Sequence, residues 1–224
     1  MMCLIGIAGQ ARMGKDTLGA SLRRALPELR HRSFATAVKR LLAETFDVDL
    51  DFIEAWKVRP ETPPGFDVPM RQALQTVGDG LRTIRASVWV DTALADGADG
   101  VFTDVRYANE AQALRARGGV MIVVGRTQAL SNDPNPSERS LRPLIAWLLE
   151  NTTAACVRIS ELVDAPEDAE SFDWFVRNDG TVAELDAAVE TILAGVGGGN
   201  VSCSPLARDV PTRALPSLFC SPEP

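Results

Sequence analysis

The chain has 224 residues, 46% of them hydrophobic and 24% charged, with a net charge of −7. This length and balance suit one globular α/β domain with room for inserted lid segments, and the acidic charge excludes a global attraction to nucleic acid. One histidine and four scattered cysteines (Cys3, Cys156, Cys203 and Cys220) speak against a zinc site, and no apolar run reaches the length of a membrane span.

A first strand is predicted over 3–8, a near-continuous apolar run that suits a central parallel strand covered on both faces. Cys3 starts it as a buried thiol, in keeping with a reducing cytosol. The apolar N-terminus is too short for a signal peptide and lacks a basic flank, so the expected location is cytoplasmic. Next come Gly9, Gln10, Ala11, Arg12, Met13, Gly14, Lys15, Asp16 and Thr17, which fit G-x-x-x-x-G-K. Glycines let a backbone fold around an anion with its N–H groups turned inward. The helix N-terminus behind adds unmet donors and a positive dipole end. Lys15 can reach the outer phosphates of a nucleotide, and a hydroxyl after it can serve magnesium. The place directly after the lysine holds Asp16, and the hydroxyl follows at Thr17. The plain alternative is an ordinary strand-to-helix turn. The apolar run before the loop and the spacing of Leu18, Leu22 and Leu26 after it favour the phosphate site.

The helix over 15–26 ends at Pro27, and 31–35 reads as a short second strand with His31 as a surface histidine, its alternative being a substrate contact. Thr36 is placed to cap a helix over 37–46 that turns Val38, Leu41 and Leu42 inward. Lys39 and Arg40 face outward, as a solvated face or as a phosphate contact. The proline-rich stretch 57–69 leads into an inserted helical segment, about 57–95. Within it, Met70–Ile84 reads as a helix with Ala73, Leu74, Val77, Leu81 and Ile84 on its apolar side and Arg71, Gln75 and Arg82 largely elsewhere. Gly78 and Gly80 weaken this helix, which points to close helix packing or a close ligand. Residues 87–94 form another short helix, where Trp89 is by default a packing residue.

A strand over 100–104 ends in Asp104. At the carboxyl edge of a parallel sheet, a carboxylate beside a phosphate loop would hold magnesium directly or through water; otherwise it caps the next turn. A helix over 109–117 is closed by Gly118 and Gly119, and 120–124 is a third good strand. The polar stretch 126–142 carries Arg126, Arg139 and Arg142, as a lid that brings guanidinium groups onto a transferring phosphoryl or as a surface loop. Then come a helix over 144–149, an acidic exposed stretch over 164–171, a last strand over 172–176 and a turn at Asn178, Asp179 and Gly180. Thr181 caps a final helix with Leu185, Val189 and Ile192 as its inner stripe. From 195 the glycines, serines and prolines lose periodicity, which divides the chain into a domain over 1–194 and a flexible tail over 195–224.

Gly9 with Gly14-Lys15-Asp16-Thr17, the stretch from Met70 to Gly78, Trp89-Val90, the block Thr103-Asp104-Val105-Arg106-Tyr107-Ala108-Asn109-Glu110, Ser137-Glu138 and Asn178-Asp179-Gly180-Thr181 occur in that order. This set resembles the phage-type deoxynucleoside monophosphate kinases of the P-loop kinase superfamily, over roughly residues 2–194. The resemblance implies a three-layer α/β fold, a parallel five-stranded sheet with helices on both faces, plus a helical acceptor-binding segment and a lid. It implies ATP and magnesium as cofactors, a deoxynucleoside 5′-monophosphate as acceptor, and a host cytoplasm as location if the chain is phage-encoded. Carried over residue by residue, Gly9, Ala11, Arg12, Met13, Gly14, Lys15, Asp16 and Thr17 hold the donor phosphates. Lys15, Asp104 and Arg106 are catalytic, with Thr17 and Asp104 at the magnesium. Arg71, Gln75, Trp89 and Glu138 lie on the acceptor side, joined by Lys39 in its phosphate-contact reading. Arg126, Arg139 and Arg142 belong to the lid. Stretch 139–171 is longer than the family pattern. The alternatives are a related P-loop kinase acting on a hydroxymethyl-pyrimidine base in DNA, the one case with DNA as partner; a dephospho-coenzyme A type small-molecule kinase; and a nucleotide-binding module without catalysis. The oligomeric state, monomer or homodimer, stays open.

Overall fold

The computed structural model describes residues 3–132 and 139–197. Their frame is a six-stranded sheet in the order β2-β3-β1-β4-β6-β5. The strands are β1 Leu4–Ala8, β2 Arg30–Arg32, β3 Gly100–Val105, β4 Val120–Gly125, β5 Cys156–Arg158 and β6 Trp174–Arg177. The five strands predicted from sequence are all present and mutually parallel. The sixth, β5, is an antiparallel edge strand on β6. Its three residues are too short to carry an alternation pattern, which is why the expectation of five strands falls one short.

β1 lies between β3 and β4, and all five of its residues are buried, as its unbroken apolar run requires. Its two faces take different helices. A Cβ at Gly6 would stand 2.5 Å from Met121 Sδ and 2.7 Å from Leu114, so α6 (Ala108–Arg115) covers that face. Ile7 points to the other face, toward Gly19 of α1 (Lys15–Ala25). α1 packs with α8 (Val182–Gly197), and α7 (Arg142–Asn151) packs on β4. Helices therefore cover both faces of the sheet, the three-layer arrangement that parallel strands need.

Four helices branch from the β2 and β3 side: α2 Ala35–Thr45, α3 Leu50–Trp56, α4 Met70–Ile84 and α5 Val88–Leu94. The first three enclose a second small core of Leu42, Ile53, Met70 and Ala73, separate from the main one, to which Val90 and Leu94 of α5 belong. Phe66 from the proline-rich stretch stacks on Phe46 at 4.4 Å and anchors that loop. α3 has no counterpart in the sequence reading, although Asp49 caps it by accepting from the Phe52 N–H at 2.5 Å. Two expectations are corrected here. Thr36 lies inside α2, because Ser33 and Asp104 cap that helix instead. Ile84, read onto the apolar side of α4, is 80% exposed, since the second core ends about two turns earlier, at Val77.

Thr181 does cap the last helix. Its hydroxyl accepts from the Glu184 N–H at 3.4 Å while Glu184 accepts from the Thr181 N–H at 2.6 Å, a reciprocal capping box. Cys3 is buried, as expected. The flexible-tail reading falls almost wholly on residues outside the described ones, which stop at 197.

Candidate active site

The carboxyl ends of the five parallel strands meet in one hydrogen-bonded collar. The loop after β1 is at its centre. Gly9 must be glycine because a Cβ would lie 2.8 Å from the Val124 carbonyl oxygen. Gly14 adopts φ 91°, and a Cβ there would stand 2.0 Å from Asn178 Nδ2. Arg12 also takes a left-handed φ of 64°, a conformation that non-glycine residues rarely adopt. Gly14 is the N-cap of α1 and has no side chain to offer its first-turn N–H groups. A helix N-terminus of this kind, behind a left-handed loop, is an anion cradle. Lys15 Nζ donates to the Gln10 carbonyl at 2.7 Å, folded back over the loop it would serve.

The neighbouring loops brace this cradle. Asn178, after β6, donates from Nδ2 to the Met13 carbonyl at 2.9 Å and from its backbone N–H to Gly125 at 2.8 Å. Gln10 is fully buried, and both ends of its amide engage the backbone of Ser131 after β4, at 3.0 and 3.2 Å. Asp179 accepts from the Thr127 N–H and hydroxyl, both at 2.7 Å, joining the β4 and β6 loops. Those hydrogen bonds, and Arg177 beside it, hold the Asp179 carboxyl below the usual range against the opposing effect of partial burial.

Asp104 stands at the end of β3, as the sequence placed it. Its carboxylate accepts from the Ser33 hydroxyl at 2.6 Å and from the Phe34 and Ala35 N–H groups at 3.1 and 3.0 Å. It therefore caps the earlier helix α2 rather than the turn that follows β3, and three of its roughly four lone-pair sites are taken. Asp16 accepts from the Thr103 hydroxyl at 2.6 Å. Thr17 is exposed at the start of α1. Among the described residues no group of three or more His, Cys, Asp or Glu could hold a metal by itself. This donor set of scattered carboxylates and one hydroxyl suits magnesium, which keeps waters and takes phosphate oxygens as its other ligands.

The block after Asp104 works through Glu110. It is 3% exposed, and Oε2 accepts from the Arg106 and Tyr107 N–H groups at 2.8 and 3.1 Å. Burial, reinforced by the negative charge of Asp104 and opposed by those two bonds and by Arg82, pushes its carboxyl up to about 7. Arg82 of α4 lies over the Tyr107 ring at 4.2 Å and 3.7 Å from Glu110 Oε1, tying the helical segment to the loop that carries Arg106. Asn109 donates to the Ala86 carbonyl at 3.0 Å and reinforces the same joint.

The other sequence-predicted residues fall as follows. Met13 is fully buried in the main core, so only its backbone can face a ligand. Ala11 is half-buried and Arg12 exposed. Lys39 pairs with Glu54 at 2.6 Å inside the helical segment. Arg71 is exposed and Gln75 half-buried on α4. Trp89 is 5% exposed, and its indole N–H donates to the Gly78 carbonyl at 2.9 Å, bolting α5 to α4 in the packing role that is its default. A Cβ at Gly80 would meet nothing within 4 Å and one at Gly78 only Arg82 at 3.5 Å, so close helix packing is not the reason for these glycines. Arg126 is half-buried, while Arg139 and Arg142 are exposed; Glu138, with the centre of the predicted lid, lies outside the described residues. Sequence reasoning gave no roles to Gln10, Ser33, Thr103, Asn178 and Glu110. Gln10 carried no signal beyond its place inside the loop, Ser33 was read only as part of the second strand, and the others stood in quoted motifs without a stated partner.

No protein-family model matches the chain. A curated protein of Acanthamoeba polyphaga mimivirus, named "Putative deoxynucleotide monophosphate kinase", is 30% identical over 175 residues, covering 68% of this chain and 90% of that protein. Among solved structures, a dephospho-CoA kinase from Campylobacter jejuni aligns over 88% of this chain and 99% of its own, at 11% identity and a TM-score of 0.42. A sugar kinase from Janibacter aligns over 88% and 98%, at 12% identity and a TM-score of 0.38. Likenesses that weak carry no argument, whereas the mimivirus relative matches over nearly its whole length. With a phosphate-binding loop at the carboxyl edge of a parallel sheet, the chain is a nucleotide-binding P-loop phosphotransferase and belongs to the deoxynucleotide monophosphate kinase family.

Proposed function

We propose that the protein transfers the γ-phosphoryl group of ATP to a deoxynucleoside 5′-monophosphate, releasing ADP and the deoxynucleoside diphosphate. The observation that carries this reading is the cradle at the start of α1, with Lys15 poised over it and Asn178 and Gln10 bracing it from the loops after β6 and β4. An oxygen of the acceptor phosphate attacks Pγ in line, the bond from Pγ to the β-bridging oxygen breaks, and its electron pair leaves with ADP. The acceptor phosphate is already a nucleophile near neutral pH, so the protein has to position it and neutralise charge.

Backbone N–H groups from Gly9 to Thr17 hold the donor phosphates, and Lys15 leaves the Gln10 carbonyl to follow the migrating charge. Arg106, on the loop that Glu110 fixes, stabilises a phosphate beside the strand end. Arg71 and Gln75 of α4 face the acceptor, with Trp89 as a support behind them. Arg126, Arg139 and Arg142 flank the entrance as lid residues. Thr17 would reach magnesium directly and Asp104 through water, using its remaining lone-pair site. When bound, the ion neutralises the phosphate oxygens and fixes their geometry.

The test is ADP release by the full chain with ATP, magnesium and each of dAMP, dCMP, dGMP, dTMP and modified dUMP species. Turnover with one or more of these monomers is the expected result. If none turns over, the reading fails. Transfer of labelled γ-phosphoryl into hydroxymethyl-pyrimidine DNA alone would replace it with a DNA-directed kinase, and nucleotide binding without any acceptor-dependent ADP would replace it with a binding module.

A further inference from the structure

Two carboxylates stand beside the phosphate loop, and they are differently engaged. Asp104 is largely spent on the N-terminus of α2. Asp16 sits in the first turn of α1 between Lys15 and Thr17, is exposed, and among the described residues gives only Oδ1 to a donor, the Thr103 hydroxyl at 2.6 Å. Thr103 itself is 4% exposed, and its hydroxyl also meets His31 Nε2 at 3.1 Å. A hydroxyl carries one proton. Thr103 spends it on Asp16, so the His31 contact is one in which Nε2–H donates to Thr103. A directed chain thus runs from His31 on β2, through Thr103 on β3, to Asp16 on α1.

The fold makes room for this chain. Gly19 lies three residues after Asp16, one turn along α1, and a Cβ there would stand 2.5 Å from Thr103 Cγ2. Glycine is unfavourable inside a helix, and here it lets α1 settle onto β3 where Asp16 must reach Thr103. A carboxylate in the first turn of a phosphate-cradling helix would repel the donor phosphates unless a cation stood between them.

We propose that Asp16 is a catalytic residue that faces the divalent cation accompanying the nucleotide, and that Thr103 and His31 are its positioning residues. The inference rests on the kinase reading above and assigns within it a carboxylate that the loop pattern leaves as a misfit. Thr103→Val keeps the packing on Gly19 and removes the hydroxyl; Thr103→Ser keeps the hydroxyl.

In the full chain with magnesium, ATP and the accepted monomer, Thr103→Val lowers kcat about tenfold and leaves the KM for ATP within about twofold. Thr103→Ser recovers most of the loss. Added to Asp16→Asn, Thr103→Val costs nothing further, because both remove the same function. A second readout needs no turnover. His31 is the only histidine of the chain, so its ring nitrogen resonances are assigned without ambiguity. They shift in both Asp16→Asn and Thr103→Val, and they respond to magnesium added with ADP in the wild type but not in Thr103→Val. Equal rates for the valine and serine variants, additive losses in the double variant, or ring resonances indifferent to Asp16 and to magnesium overturn the inference. A wild type without monomer turnover overturns the kinase reading instead, and the histidine resonances then decide the role of Asp16 by themselves.

Discussion

The two ends of the sheet are built on opposite principles. At the amino ends of β4 and β6 lies a cavity of about 910 Å³, bordered by Val120, Phe172, Trp174, Arg158 and Gly195. At the carboxyl ends gather four of the five polar side chains that are buried among the described residues: Gln10, Thr103, Glu110 and Asn178. Each is satisfied by the backbone or side chain of a neighbouring loop. Burying a polar group is costly unless it is hydrogen-bonded, and a satisfied network fixes geometry. The working end is recognised by where polar groups are hidden and what they hold still.

The comparison is broken most directly at the loop lysine. Lys15→Ala removes the loop cation that folds back over its own cradle, and acceptor-dependent ADP release should fall by about a thousandfold or more. Retained turnover in a coupled assay would move the chemistry elsewhere, with the cavity end as the first place to look. One step down, Asn178→Ala strips the Met13 carbonyl of its side-chain donor. That hydrogen bond accounts for about 1–2 kcal/mol of loop fixation. The KM for ATP should rise about tenfold, with a smaller change in kcat. An unchanged KM beside a lowered melting temperature would mean that Asn178 braces the fold and not the cradle.

The sequence revealed the frame well because periodicity and punctuation act locally. The apolar run of β1, the glycines of the loop and the Thr181 cap each state their structure within a few residues. Asp104 shows where this ends. Its position at a strand tip was legible, but its partners Ser33, Phe34 and Ala35 are about 70 residues away in sequence and meet it only because β2 pairs with β3. Gln10 and Ser131 are separated by 121 residues, and Asn178 and Met13 by 165. No spacing rule reaches across such distances. Lys39 and Trp89 show the same limit: a cation or an aromatic on a helix has many partners within reach, and spacing does not reveal that Glu54 and the Gly78 carbonyl engage these two.

Glu110 sharpens the contrast through pH. Its carboxyl is at about 7 in the folded protein against 4.5 as a free side chain. The folded state therefore binds the extra proton between those values. The stability it contributes is complete below about pH 4.5 and is lost as pH rises through about 7. A shift of that size corresponds to on the order of 3 kcal/mol at most. Glu110→Gln keeps an oxygen for the Arg106 and Tyr107 N–H groups but cannot titrate. Urea unfolding at pH 5 and pH 8 should show the wild type losing more stability than the variant across that interval. Parallel changes in the two proteins would remove Glu110 as the source.

The smallest effect is predicted at the cavity end. Arg158 lies over the Trp174 ring at 4.9 Å and donates to the Gly195 carbonyl at 2.9 Å, clamping the end of α8 to the sheet edge. A half-exposed cation–π contact and one hydrogen bond to a carbonyl are together worth about 1–2 kcal/mol. Arg158→Ala should lower the melting temperature by a few degrees, on the order of 3–6 °C for a domain of this size, and leave kcat and both KM values unchanged. It is the control for every substitution at the other end: a variant that loses stability without losing rate. If Arg158→Ala instead slowed turnover while the fold melted normally, the two ends would be coupled, and the cavity would have to be read as a regulatory site rather than as space between an edge strand and a helix end.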